Sequence, residues 1–129
     1  MHRFYLSLGA ALSGLGVILG AFGAHRLKQI APDSVPTFQT GVQYQMYHAI
    51  ALILVAILYE KFPVKLMSWA GIAFFIGILL FSGSLYALAA LKATGKVGLG
   101  GLGILTPVGG LFFIAGWLFF LLAVLNNKS

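Results

Sequence analysis

"TGVQYQMYHAIALILVAILYE" (residues 40–60) opens polar and aromatic and closes as a segment fit for hydrocarbon. Its only charged residue is Glu60, at the far end. The uncharged run that contains it extends from Val35 to Tyr59, and three more lie outside it: Phe4 to Ala24, Leu66 to Leu91 and Val97 to Asn127. A helix crosses a bilayer with about 20 mostly apolar residues at about 1.5 Å rise each. All four runs are long enough. The sequence therefore predicts an all-α membrane protein, a compact antiparallel bundle of four transmembrane helices. It forms one transmembrane domain over residues 1–129, with spans at about 4–25, 38–60, 66–91 and 105–125.

Composition agrees with that reading. Of 129 residues, 60% are hydrophobic and 8% are charged, whereas a soluble domain carries about 25% charged residues to face water. The net charge of +6 does not indicate a nucleic-acid partner. Arg3, Arg26, Lys28, Lys61, Lys65, Lys92, Lys96 and Lys128 all flank spans, where basic side chains meet anionic headgroups. Four lie toward each membrane face, so charge does not set the orientation. With no cysteine, thiolate metal sites, iron–sulfur clusters and a cysteine nucleophile are excluded. The first run is longer than a signal-peptide core of about 7–15 residues, so it reads as a retained span.

Small residues are ordered along the first span. Gly9, Ser13, Gly16, Gly20 and Gly23 are spaced four, three, four and three, the seam of two helices in left-handed contact. Lipid gives helices no hydrophobic reason to associate, and glycine lets backbones approach closely enough for dispersion to hold them. Weaker seven-residue series recur at Ala70, Gly77 and Ser84, and at Gly109, Gly116 and Ala123. Between the first two spans, "APDSVP" (31–36) marks a loop and a helix start, with Asp33 or Ser34 at the N-cap. A helix from Ser34 to Glu60 would measure roughly 40 Å, against about 30 Å of hydrocarbon. Its first turns then belong to the headgroup zone, which suits Gln43, Tyr44, Gln45 and Tyr47. Thr106 before Pro107 predicts an N-cap with proline at the first helical position; an earlier start with a kink at Pro107 is the alternative.

Few side chains can carry chemistry. His2 reads as solvated beside the N-terminus, His25 ends the first span, and Glu60 sits at the opposite face from both His25 and His48. An ionisable residue inside a span is a functional candidate by default, which singles out His48. The candidate polar site is His48 with Tyr44, Tyr47, His25 and Gln43. His48 can serve as an interhelical hydrogen bonder, as a proton relay or ligand contact, or as a metal or haem ligand. Two histidines without thiolates or clustered carboxylates make an incomplete zinc site. Trp69 suits an interfacial belt, and Trp117 is mid-span, packing or facing lipid. "GLGGLG" (98–103) follows no strand and lacks the P-loop lysine, so it is no nucleotide loop. No catalytic residue, cofactor or metal is predicted.

"GAFGAH" (20–25), "TGVQYQMYHAIAL" (40–52), "LFSGSLYAL" (80–88) and "TPVGGLFFIAGW" (106–117) resemble a family of small membrane proteins catalogued as domain of unknown function 423. It includes bacterial inner-membrane proteins and a eukaryotic relative. The resemblance covers nearly the whole chain and implies a multi-pass membrane protein of this four-helix kind. It carries no activity, substrate or catalytic residue. The functional expectation is a non-enzymatic protein of the cell membrane that acts by packing with itself, with lipid or with partner membrane proteins. The alternative is a subunit of a small transporter or channel, or a binder of lipid or a hydrophobic ligand, using His48 and its polar neighbours.

Overall fold

The computed structural model describes residues 2–95 and 102–126. Four long apolar helices account for nearly all of them: α1 (Arg3–Ile30), α2 (Pro32–Leu58), α3 (Lys65–Ala93) and α4 (Leu102–Asn126). α2 and α3 form the centre, with 50% and 44% of their most apolar windows buried, against 17% for α1 and 22% for α4. α1 packs along α2 and α4 along α3. The outer two helices therefore turn most of their surface outward.

Local chemistry sets the helix ends. The His2 ring is the N-cap of α1: its Nδ1 accepts from the Tyr5 N–H at 3.3 Å, and the ring stacks on Tyr5 at 4.2 Å. The His2 N–H donates to the Ala56 carbonyl, tying the start of α1 to the end of α2. His2 is thus half-buried, not the solvated side chain expected at a chain end. α1 stops at Ile30 because Ala31 precedes Pro32, which disfavours helical geometry there. Ala31 is extended, at φ −152°. α2 opens with a tight turn at Pro32–Ser34 before its α-helical part, Val35–Leu58. Ser34 occupies the N-cap position, but its hydroxyl donates to the Ala31 carbonyl at 2.8 Å and caps no helix N–H.

α4 begins at Leu102, so Thr106 and Pro107 lie inside the helix and not at its start. Proline lacks the N–H that would bond the carbonyl four residues back, which here belongs to Gly103 in the first turn. Only one intrahelical bond is lost, and α4 continues through Pro107. Thr106 is held in place by the Ser84 hydroxyl on α3. Of "GLGGLG", only Leu102 and Gly103 fall within the described residues, as do neither Lys96 nor Lys128 of the basic flanks.

The two helix pairs are joined differently. Along α1, Gly9, Gly16, Gly20 and Gly23 lie against α2. A Cβ on Gly9 would stand 2.7 Å from the Ala49 carbonyl oxygen, and one on Gly16 would collide with the Met46 sulfur. Ser13 continues this line, its Oγ buried with no hydrogen-bond partner. Between α3 and α4, glycines receive aromatic rings. The Phe113 ring fills the space over Gly77 and the Phe74 ring that over Gly116, while Gly109 lets α4 come against the backbone of Phe81. Each step of three or four residues down α3 meets an equal step up α4, as an antiparallel pair requires. Ala70 and Ala123 are fully buried along the same pair.

Candidate functional site

The inward face of α2 carries three polar contacts at successive turns: the Gly41 carbonyl, Gln45 and His48. Together they meet all three of the other helices. The Ser82 hydroxyl of α3 donates to the Gly41 carbonyl at 2.7 Å. Ser82 ends a wider helical turn, Ile78–Ser82, and such insertions re-aim the side chains around them. The Gln45 amide bridges two helices, donating from Nε2 to the Leu12 carbonyl of α1 at 2.8 Å and accepting the Tyr86 hydroxyl of α3 on Oε1 at 2.6 Å. Tyr5 adds a contact nearer the opposite end, its hydroxyl donating to the Ser68 carbonyl at 2.8 Å.

His48 lies about three and a half turns beyond the helix start at Val35 and is only 5% exposed. The Trp117 indole N–H, which can only donate, points at Nε2 from 3.0 Å. Nε2 must therefore be the unprotonated nitrogen. Nδ1 carries the proton and donates it to the Tyr44 carbonyl at 2.8 Å. Phe113 stacks on the imidazole with centroids 3.6 Å apart and planes within 9°, and Phe74 lies against it at 5.5 Å. Both nitrogens are occupied, and Phe113 covers a face of the ring.

The other candidates do not gather around His48. Tyr44 touches it at 6.2 Å between ring centroids but is 37% exposed, while Tyr47 is 57% exposed and meets Tyr44 from outside. Gln43 is exposed. His25 is exposed on the wide turn Gly23–Leu27 of α1, whereas the partners of His48 are on α2, α3 and α4. The structure does not bring the two histidines together. Among the described residues, no three His, Asp or Glu side chains converge as metal ligands would.

Gln45 is the correction with most consequence. It is 2% exposed and binds two other helices, so it does not belong to the wet headgroup layer with Gln43. Helical geometry separates the two: positions two apart point about 200° from each other, so they cannot share a face. Gly41, Gln45, Ala49, Leu52 and Ala56, at steps of three and four, are all buried and mark the inward stripe. Trp117 was legible as a mid-span residue packing or facing lipid, and it does both, being 43% exposed; its pairing with His48 was not legible. Tyr86 and Ser82 were visible only as part of a quoted motif, and Ser84 also as a position of the seven-residue series.

Four apolar spans fastened internally by side-chain hydrogen bonds define a multi-pass integral membrane protein of the cell membrane. Residues 19–110 match the family model described as "Protein of unknown function (DUF423)", and the chain belongs to that family. It is similar to the UPF0382 membrane protein YwdK of Bacillus subtilis (strain 168), 42% identical over 96% of this chain and 98% of the relative. It is also similar to the UPF0382 inner membrane protein YgdD of Escherichia coli (strain K12), 36% identical over 99% of this chain and 95% of the relative. The UPF0382 membrane protein SH2409 of Staphylococcus haemolyticus is 37% identical over 94% of each chain. No solved structure matches.

Proposed function

We propose that this chain is a non-catalytic membrane protein that works by association at its outer surface, with copies of itself, with other membrane proteins and with lipid. The observation that carries this reading is the closure of the interior. Gln45, His48, Ser82, Ser84 and Tyr86 are each hydrogen-bonded to a neighbouring helix, and among the described residues the Ser13 hydroxyl is the one buried side-chain polar group without a partner. What the molecule offers is its exterior, above all α1 and α4, the two least-buried spans. Conduction or ligand binding through His48 is disfavoured, because that ring is buried and has no free nitrogen.

The absence of cysteine makes the test clean, since each engineered thiol is the only one present. Single cysteines at Gly14, which faces open space on α1, and at Leu111 or Ile114, which are exposed on α4, report contact between copies. Oxidation in native membranes is expected to give a disulfide-linked dimer from at least one of them. Monomer at every position, with no partner captured by amine-reactive crosslinking, overturns the protein-association part of the proposal. Proteoliposome flux that depends on His48 would overturn the closed-interior part.

A further inference from the structure

Where α1 leaves the bundle and α2 enters it, a cavity of about 240 Å³ lies between the ends of α1 and α3. Leu27 and Ile30 form one wall, Ala90 and Ala93 the other, and Phe38 and Tyr86 close it from within. Tyr86 presents its ring there, because its hydroxyl is bonded to Gln45. Thr94 at the edge has its hydroxyl donated to the Ala90 and Leu91 carbonyls. The lining therefore offers a ligand hydrocarbon and aromatic surface and no free side-chain donor. The volume falls short of the roughly 300–1,000 Å³ typical of drug-sized ligands, so a length of flexible chain fits better than a ring system.

The exposed residues next to the lining in sequence have the opposite character. Arg26 and Lys28 adjoin Leu27 in sequence, and Lys92 adjoins Ala93; all three are exposed. Asp33 is the one acid at this end among the described residues, so cations outnumber it three to one. Basic residues at helix C-termini also complement the helix dipole, but that role needs no apolar slot beside them. An apolar slot under a cationic rim, at the ends of membrane spans, matches a phospholipid in both of its parts.

We propose that this groove seats one acyl chain of an anionic glycerophospholipid, with the phosphate held at the rim by Arg26, Lys28 and Lys92. The proposal deepens the surface-association reading by naming a lipid class and rests on that reading's lipid part. Lipid retention on each species is scored separately from contact between copies, so either can fail alone.

The test is native mass spectrometry of the detergent-purified full chain with equal amounts of phosphatidylglycerol and phosphatidylcholine. Phosphatidylglycerol is expected to be retained at least tenfold better. The triple variant Arg26→Ala, Lys28→Ala and Lys92→Ala should lose that preference by a similar factor, since each basic residue near an anionic surface contributes about a fivefold attraction. Ala90→Leu and Ala93→Leu fill the slot from exposed positions, and should release the lipid with the melting temperature unchanged. Equal retention of the two lipids overturns the proposal, as does full retention by both leucine variants. Displacement by glycerol phosphate, which has no acyl chain, as effective as displacement by whole lipid also overturns it. Should the triple variant fail to fold, the lipid comparison and the leucine variants still decide.

Discussion

Replacing Gln45 by leucine tests the interior fastening most directly. Leucine is close to glutamine in size, so the change removes hydrogen bonds without opening a large cavity. Two bonds are lost, to the Leu12 carbonyl and from the Tyr86 hydroxyl. Leu12 keeps its own helical partner, whereas the Tyr86 hydroxyl is left facing hydrocarbon. Interhelical hydrogen bonds in membrane proteins average about 0.6 kcal/mol and reach about 1.7 kcal/mol. Gln45→Leu should therefore cost about 1–3 kcal/mol. Tyr86→Phe removes one bond and should cost about 0.5–1.5 kcal/mol. The double variant should cost little more than Gln45→Leu alone, because the shared bond is lost once and no orphaned hydroxyl remains. The coupling energy then lies at about 0.5–1.5 kcal/mol. Unfolding in mixed micelles, followed by the fluorescence of Trp69 and Trp117, measures all four corners of the cycle. Strict additivity would refute the Gln45–Tyr86 bond, and a more stable Gln45→Leu variant would refute the fastening role itself.

The other predictions use the same unfolding assay. Ser13→Ala removes a buried hydroxyl without a partner and should stabilise by up to about 1–3 kcal/mol; a loss would show that Ser13 is bonded after all. Gly109→Ala should cost about 1–3 kcal/mol, since its Cβ would strike the backbone of Phe81, whereas Gly14→Ala meets open space and should leave stability unchanged or raised. Similar effects at the two glycines would contradict the packing. Trp117→Phe leaves His48 Nε2 without a donor and should cost about 0.5–1.5 kcal/mol. Nitrogen NMR of the unmodified protein should find His48 neutral with its proton on Nδ1, and a proton on Nε2 would contradict the pairing.

The spans were legible because hydrocarbon tolerates almost no charge, and four long runs obey that rule without a break. Pairing is harder to read. Whether Gln45 meets lipid headgroups or Tyr86 depends on the rotation of α2 and on the register of α3, and neither is a property of the segment itself. A strict test of helical spacing would have separated Gln45 from Gln43, since one shares the stripe of Gly41 and Ala49 and the other opposes it. The wide turn at Ile78–Ser82 was not visible, because one extra residue in a turn leaves an apolar sequence apolar. At Pro107 two starts were compatible with the sequence, and the contact of Thr106 with Ser84 accompanies the longer one. His25 and His48 belong to the same end of the bundle by chain order, but order along the chain does not say which faces meet.

The placement of Trp117 bears on the order of assembly. α1 and α2 can close as a hairpin during synthesis, with Gln45 already bonded to Leu12, before α3 and α4 exist. His48 has to wait: its Nε2 partner lies on the last helix to be made, 69 residues further along the chain. A nascent chain ending at Gly95 would hold that nitrogen bare within the membrane, a state a protease could recognise. Closing the His48–Trp117 contact thus marks completion of the molecule. Trp117→Phe should accordingly lower steady-state abundance in cells even where the purified variant folds.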